Sequence, residues 1–133
     1  HTDQPWPAMP DCLLTLAQAA AAEAGYANFL PEACLINQYV PGAKLSLHQD
    51  KDEKDLSAPI VSVSLGLSAV FLFGTPVRKD GPQRYRLVHG DVVVWGGQSR
   101  LAYHGVQPLE EGVHALLGSR RINLTFRSPR VRC

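Results

Sequence analysis

Three side chains from two separate segments of the sequence could bind one metal ion together. His48 and Asp50 are two positions apart, and His104 follows in a later segment. Two imidazoles and one carboxylate form the facial triad typical of non-haem Fe(II) sites, which leave coordination positions open. Residues two apart on a strand point to the same face, so a strand that runs into His48 would place both ligands at its end. The pattern therefore predicts an iron site that His104 completes from elsewhere in the sheet.

A polar stripe near the C-terminus could bind an organic acid beside that iron. The stripe alternates with apolar residues along one predicted strand and consists of Arg121, Asn123, Thr125 and Arg127. A 2-oxo acid can chelate an open iron site, while the second carboxylate of 2-oxoglutarate needs a cation, and guanidinium supplies paired, charge-assisted hydrogen bonds. Asn37 and Tyr39 share a face of an earlier strand and are further donors. Together with the triad, the stripe predicts a 2-oxoglutarate-dependent oxygenase.

Each pattern also has a simpler explanation. A His-x-Asp triplet alone is more often part of a solvated loop, and residues 50–55 could be only an exposed run of charges. The C-terminal stripe could face solvent from an edge strand. His1, His89 and His114 are less favoured as ligands, and we expect His89 to cap the turn before Gly90-Asp91. The occurrence of triad and stripe in one chain favours the metal and acid sites.

The local patterns predict one helix followed by short strands. The helix is expected over residues 13–24, with Asp11 as N-cap, Gly25 as the C-terminal stop and a buried edge of Leu13, Leu14 and Leu16. Alternation and turn residues predict strands over residues 33–39, 44–48, 59–67, 69–73, 84–88, 92–95 and 121–126. Such a chain favours a sandwich or barrel, and a double-stranded β-helix of the jelly-roll or cupin type fits best. Trp95 is expected to fill its core.

Composition sets broad limits on the class of protein. The chain has 133 residues, 45% of them hydrophobic, and a net charge of +1, so we expect a single catalytic domain over residues 1–133 and no partner selected by bulk charge. Three cysteines without C-x-x-C spacing fit a reducing cytoplasm better than a disulfide framework. The sequence contains no long apolar run, so it predicts no membrane-spanning segment. The chain begins at His1, and we expect a monomeric piece of a longer protein.

Several segments of the chain resemble the AlkB family of Fe(II)- and 2-oxoglutarate-dependent dioxygenases, which repair alkylated nucleic acids. The likeness extends over about residues 6–127, and the matching segments are residues 33–39 (ACLINQY), 41–53 (PGAKLSLHQDKDE), 89–97 (HGDVVVWGG) and 123–127 (NLTFR). The resemblance implies a catalytic double-stranded β-helix. It also implies that His48, Asp50 and His104 hold the iron.

The resemblance further implies which residues meet the co-substrate and the substrate. At the distal carboxylate of 2-oxoglutarate it places Arg121, Asn123 and Tyr39, and near the other end Asn37 and Arg127. Asp52 matches the position that contacts the damaged base, and Arg78 a position near the substrate. Members of the family carry a further N-terminal segment, a lid over the nucleotide, ahead of the position that matches Trp6. Because base stacking contributes much of nucleic-acid affinity, we expect a core without that lid to capture substrate poorly.

The implied activity is oxidative demethylation of N-alkylated bases such as 1-methyladenine and 3-methylcytosine in DNA or RNA. It would consume Fe(II)-activated dioxygen and 2-oxoglutarate and release formaldehyde, succinate and carbon dioxide. Single-stranded or flipped bases would be preferred, because the lesion must leave the stack to reach the metal. Two other functions remain open from the residues alone: an oxygenase of this type acting on a substrate other than nucleic acid, and a non-catalytic cupin-like binding module.

Overall fold

The part of the chain that the structure describes contains one α-helix and eight strands. The computed structural model describes residues 9–31, 33–50 and 57–127. The elements in chain order are α1 (Asp11–Glu23), β1 (Ala33–Tyr39), β2 (Leu45–His48), β3 (Ile60–Gly66), β4 (Ala69–Phe73), β5 (Gln83–Leu87), β6 (Val92–Trp95), β7 (His104–Val106) and β8 (Arg121–Arg127). Short 3₁₀ helices cover Arg78–Asp80 and Gly97–Ser99. Among the described residues, no helix is long and apolar enough to cross a membrane.

The strands form two four-stranded sheets whose strand orders are β1-β8-β3-β6 and β2-β7-β4-β5. All neighbouring strands are antiparallel. The chain crosses repeatedly from one sheet to the other, which is the topology of a double-stranded β-helix, and the predicted jelly-roll class is confirmed. The predicted strands also lie close to the observed ones, apart from β7, which the sequence patterns did not indicate.

Two apolar clusters hold the layers together. The first lies between the sheets and includes Ile60, Phe71 and Trp95, and the second lies between the β1-β8-β3-β6 sheet and helix α1. Strand β3 contributes to both, because it is buried on both faces. The core role predicted for Trp95 is confirmed, since its side chain is 6% exposed.

One expectation for the helix is wrong, and another holds only in part. Pro10 is the N-cap residue and makes no side-chain cap, while Asp11 is already helical, where its charge still suits the helix N-terminus. The fully buried positions are Ala17 and Ala21, whereas Leu16 is 37% exposed. Small residues on this face allow the helix to approach the sheet closely, and Leu13 packs against the same cluster, as expected. Gly25 does follow the helix with a positive φ of 99°, as expected of a C-terminal stop.

Strand β8 lies inside its sheet, between β1 and β3, so the alternative of a solvated edge strand is wrong. Its apolar residues Leu124 and Phe126 face the helix layer. Its polar residues face the second sheet. Within its own sheet, in the register with β1, Arg121 pairs with Tyr39 and Asn123 with Asn37. The polar stripe is therefore directed into the space between the two sheets.

A close backbone approach joins the two strands that carry the histidines of the triad. A Cβ added to Gly105 in β7 would lie 2.6 Å from the carbonyl oxygen of Leu45 and 3.2 Å from the amide nitrogen of Leu47, both in β2. Only glycine allows such a contact without displacing backbone. In the same strand pair His48 lies opposite His104. Gly105 thus sets the spacing between two of the predicted metal ligands.

Candidate metal and 2-oxo acid site

The structure brings the three residues of the predicted triad together. His48 ends β2, Asp50 follows two residues later, and His104 begins β7. His48 Nε2 lies 3.6 Å from Asp50 Oδ1, and His104 Nε2 lies 3.2 Å from Asp50 Oδ2. One ligand atom from each residue lies within 4.8 Å of the others. This is the only group of three or more potential metal-ligating side chains found among the described residues.

Hydrogen bonds to main-chain carbonyls orient both imidazoles. His48 Nδ1 lies 2.8 Å from the carbonyl oxygen of Ser46, and His104 Nδ1 lies 3.1 Å from that of Ala102. A carbonyl oxygen only accepts, so each Nδ1 donates to its carbonyl, and each Nε2 faces Asp50 as the ring atom available to a metal ion. Second-sphere contacts of this kind fix the tautomer and ring orientation of metal-bound histidines.

The other described histidines have the opposite arrangement. His89 Nδ1 accepts the amide N–H of Gly66 at 2.9 Å, and His114 Nδ1 accepts that of Leu116 at 3.1 Å. In the neutral form their Nε2 atoms therefore carry the proton, which does not suit a metal. His89 also does not cap its own turn as expected, because Val88 N–H is accepted by Asp91 Oδ2 at 2.8 Å.

Asp50 is held as a carboxylate by its neighbours. Arg127 Nη1 lies 3.0 Å from Asp50 Oδ1. Burial alone would raise the pKa of this carboxyl group, but the hydrogen bond and charge of His104 and the charges of Arg127 and His48 outweigh it and lower the pKa to about 2. Asp50 is therefore ionised at neutral pH and needs to lose no proton to bind a cation.

The triad opens into a cavity of about 140 Å³ between the two sheets. Polar residues of β1, β3 and β8 line one side of it. Apolar side chains line the rest, and these are Leu35, Leu45, Phe71, Trp95 and Val106. The Trp95 ring lies 5.0 Å from the His104 ring, so this core residue is also a wall of the site. An enclosed apolar wall lowers the local dielectric and strengthens the polar contacts inside.

Arg121 is the most informative polar residue of this cavity. Its side chain is 1% exposed, yet Nε and Nη1 have no hydrogen-bond partner among the described residues. Tyr39 lies beside it, with the guanidinium carbon 6.0 Å from the ring centroid. Burial lowers the pKa of Arg121 and Tyr39 partly offsets this, but a guanidinium stays charged at neutral pH. Burial also raises the pKa of Tyr39 against the opposing effect of Arg121, so its phenol stays a donor. A buried cation with free donors calls for an anion.

The neighbouring polar residues form a small network on the cavity wall. Asn123 Nδ2 donates to Ser62 Oγ at 2.8 Å and to the carbonyl of Val63 at 3.3 Å, and Thr125 Oγ1 donates to Asn123 Oδ1 at 2.7 Å. The network holds the Asn123 amide rigidly at the wall. Sequence patterns did not single out Ser62, although its place between Val61 and Val63 in an alternating strand marks it as a polar inward residue. The apolar wall residues were missed because their types do not distinguish a site from a core.

The other site residues predicted from the sequence do not share one location. Asn37 lines the same cavity but is an exposed residue at its mouth, and Arg127 lies beside Asp50. Asp52 lies outside the described residues. Arg78 begins a 3₁₀ helix that follows β4, and its side chain is not described. The roles of all these residues stay predictions.

A match to a family model agrees with this fold and donor set. The model of the 2OG-Fe(II) oxygenase superfamily matches residues 1–127, and the chain belongs to this superfamily. Alpha-ketoglutarate-dependent dioxygenase AlkB of Escherichia coli (strain K12) is 65% identical over 127 residues, covering 96% of this chain and 59% of the relative. The resemblance to the AlkB family is confirmed. The chain spans about three fifths of the length of this relative.

Two more distant proteins show the same likeness. DNA N(6)-methyladenine demethylase ALKBH1C of Arabidopsis thaliana is 41% identical over 109 residues, covering 74% of this chain and 24% of the relative. The solved structure of OsALKBH1 superimposes with a TM-score of 0.78 at 34% identity, covering 92% of this chain and 65% of that chain.

The donor set fits both groups that this superfamily uses. Two imidazoles and a carboxylate suit Fe(II), and their orientation leaves the cavity side open. The unpartnered donors of Arg121 suit a carboxylate on the wall of the same cavity. The predicted cofactors, Fe(II) and 2-oxoglutarate, therefore match the residues that are present.

Proposed function

We propose that this protein oxidatively demethylates N-alkylated bases in nucleic acid, using Fe(II), 2-oxoglutarate and dioxygen. Residues 1–133 would act as a single catalytic domain and as a monomer. Relatives of the chain named as a dioxygenase and as a DNA demethylase support the reaction class and the substrate class. The products would be the unmodified base, formaldehyde, succinate and carbon dioxide.

One observation carries the proposal: the triad lines the same cavity as Arg121, whose Nε and Nη1 have no partner among the described residues. His48, Asp50 and His104 would hold Fe(II), which supplies the activation of dioxygen when bound. Arg121, helped by Tyr39 and the Asn123 network, would bind the distal carboxylate and so orient the 2-oxo acid end toward the triad. Arg127 would lie near that other end, with Asn37 at the mouth of the cavity. Phe71 and Trp95 would exclude water from it.

The test is a panel of oligonucleotides that carry 1-methyladenine or 3-methylcytosine, supplied with Fe(II), 2-oxoglutarate and dioxygen. We expect formaldehyde and succinate in equal amounts, and faster turnover on single strands than on duplexes. Succinate without formaldehyde from any nucleic acid would indicate an oxygenase with another substrate. If neither product forms under any condition, the proposal is overturned, and a non-catalytic binding module is the remaining explanation.

Asp52 is proposed to favour cationic lesions by its charge, a role that the family resemblance supports. Asp52→Ala should lower turnover of 1-methyladenine and 3-methylcytosine about tenfold, because the interaction energy of opposite charges near a protein surface is a few kcal/mol at most. Turnover of a neutral N-methylated base should change far less. Competition assays with the two lesion types in one tube measure the ratio directly, and Asp80→Ala, at the end of the first 3₁₀ helix, is the matched control. Equal losses on both lesion types would contradict this role.

A further inference from the structure

A buried arginine outside the cavity is bonded to the main chain of the triad. Arg100 follows the second 3₁₀ helix and is 3% exposed. Its Nη1 donates to the carbonyl oxygen of Asp50 at 2.6 Å, and its Nε donates to the carbonyl oxygen of Ala58 at 2.9 Å. One guanidinium thus holds main-chain atoms on both sides of residues 51–56. A hydrogen bond from a charged donor is among the stronger ones, at about 1.5–3 kcal/mol.

The two residues after Arg100 are also bonded to the triad or its neighbour. The carbonyl of Leu101 accepts a hydrogen bond from Gln49 Nε2 at 2.8 Å. The carbonyl of Ala102 lies 3.1 Å from His104 Nδ1 and sets its tautomer. Three consecutive residues therefore contact Asp50, its neighbour Gln49, and His104. This segment, residues 100–102, links the strand end that carries two ligands to the strand that carries the third.

We propose that residues 100–102 position the triad, and that Arg100 is a positioning residue that sets metal affinity by fixing the main chain of Asp50. The inference rests on the metal site of the proposed function. A carboxylate ligand must sit within a fraction of an ångström of its place, and its direction follows from its Cα. With its carbonyl anchored by Arg100 and the preceding side chain anchored to Leu101, Asp50 has little freedom to turn away from the imidazoles.

The geometry of the guanidinium, rather than its charge, is the property that matters. Its Nε and Nη1 donors point in fixed directions to two separate carbonyls, whereas a lysine ammonium is a point charge on a flexible stem. Nor is Arg100 among the groups whose charge lowers the pKa of Asp50, which are His104, Arg127 and His48. Arg100→Lys keeps the charge and removes the bridge, so it separates the two explanations.

The experiment compares metal binding by the wild type, Arg100→Lys and Arg86→Lys in the full-length protein. Co(II) is titrated with 2-oxoglutarate present, and its visible absorption reports both affinity and coordination geometry. Removing second-sphere partners of metal ligands typically costs about 10–100-fold in affinity, and we expect a loss in that range for Arg100→Lys, with an altered spectrum. The exposed Arg86 is the matched control, and its variant should bind as the wild type does. The melting temperature of the metal-free proteins is measured alongside.

The outcomes are distinct. Wild-type affinity and spectrum in Arg100→Lys would overturn the inference, and so would a lower metal-free melting temperature without any change in affinity, because that result indicates packing alone. If Arg100→Lys does not fold, Gln49→Met decides: severalfold weaker Co(II) binding supports the inference, and unchanged binding overturns it. Failure of the wild type to bind Co(II) would overturn the metal site and with it the proposed function, whereas loss of the positioning role alone leaves that function intact.

Discussion

Replacing His48 with alanine is expected to abolish turnover and to weaken metal binding by about a hundredfold or more. Structural sites with four ligands gain about 10–16 kcal/mol from zinc, so one ligand contributes about 3 kcal/mol, which is more than a hundredfold. His48 is the best of the three proposed ligands for this test, because its side chain is 36% exposed whereas that of His104 is 6% exposed and packs on Trp95. Its removal leaves the core intact.

Thermal denaturation with and without Mn(II) measures this loss in the absence of turnover. At a metal concentration of about 100 times Kd, the wild type should gain about 2.7 kcal/mol, or roughly 10 °C in melting temperature. At the same concentration His48→Ala should gain at most about 1–2 °C. Chelation with EDTA should return the wild type to the lower temperature. His89→Ala is the control, because its ring lies outside the triad with the unsuitable tautomer. A metal response retained in His48→Ala would contradict the triad.

Replacing Arg121 with methionine is expected to raise the Kd for 2-oxoglutarate at least about a hundredfold, without lowering the stability of the ligand-free protein. Two charge-assisted hydrogen bonds to the distal carboxylate account for about 3–6 kcal/mol of binding. In the free protein the same donors are buried without partners among the described residues, which is costly. An apolar residue of similar length removes that cost, as replacing buried charges often does.

Calorimetric titration of the Mn(II)-loaded proteins checks the first half of this prediction, and metal-free melting temperatures check the second. A 2-oxo acid without a second carboxylate, such as 2-oxobutyrate, is the matched ligand, and its affinity should barely differ between the wild type and Arg121→Met. Arg84→Met, on the exposed strand β5, is the control variant. Equal losses for both acids would mean that Arg121 shapes the cavity and does not bind the distal carboxylate.

The chemistry of the site could be predicted from the sequence because it depends on residue types and on a period of two. A strand that ends at His48 was enough to predict that His48 and Asp50 share a face. Alternation alone was enough to place the polar residues of β8 on one face. The pairing of Tyr39 with Arg121 could not be predicted, because it depends on the register between β1 and β8. The resemblance to a family placed both residues at one carboxylate, but it did not predict how their strands pair.

Other features lay beyond sequence patterns for physical reasons. Strand β7 has three residues, one of them Gly105, and is too short to show a period. The helix was placed correctly, but its buried face was predicted only in part. The buried positions are Ala17 and Ala21, and alanines can be assigned to a buried face only when the sheet that packs against them is known. No sequence pattern marks Arg100, because the partners described for it include main-chain carbonyls, which every residue has.

The two faces of β8 tie the reactivity of the protein to its helix layer. The side chains of Leu124 and Phe126 are clamped by α1 on one side, while their neighbours Arg121 and Asn123 point to the opposite side. A shift of this strand caused by repacking under the helix would also move Arg121, the residue proposed to bind the distal carboxylate. Laboratory evolution aimed at new substrates should therefore find tolerant positions at the cavity mouth, and few in the interior that faces the helix.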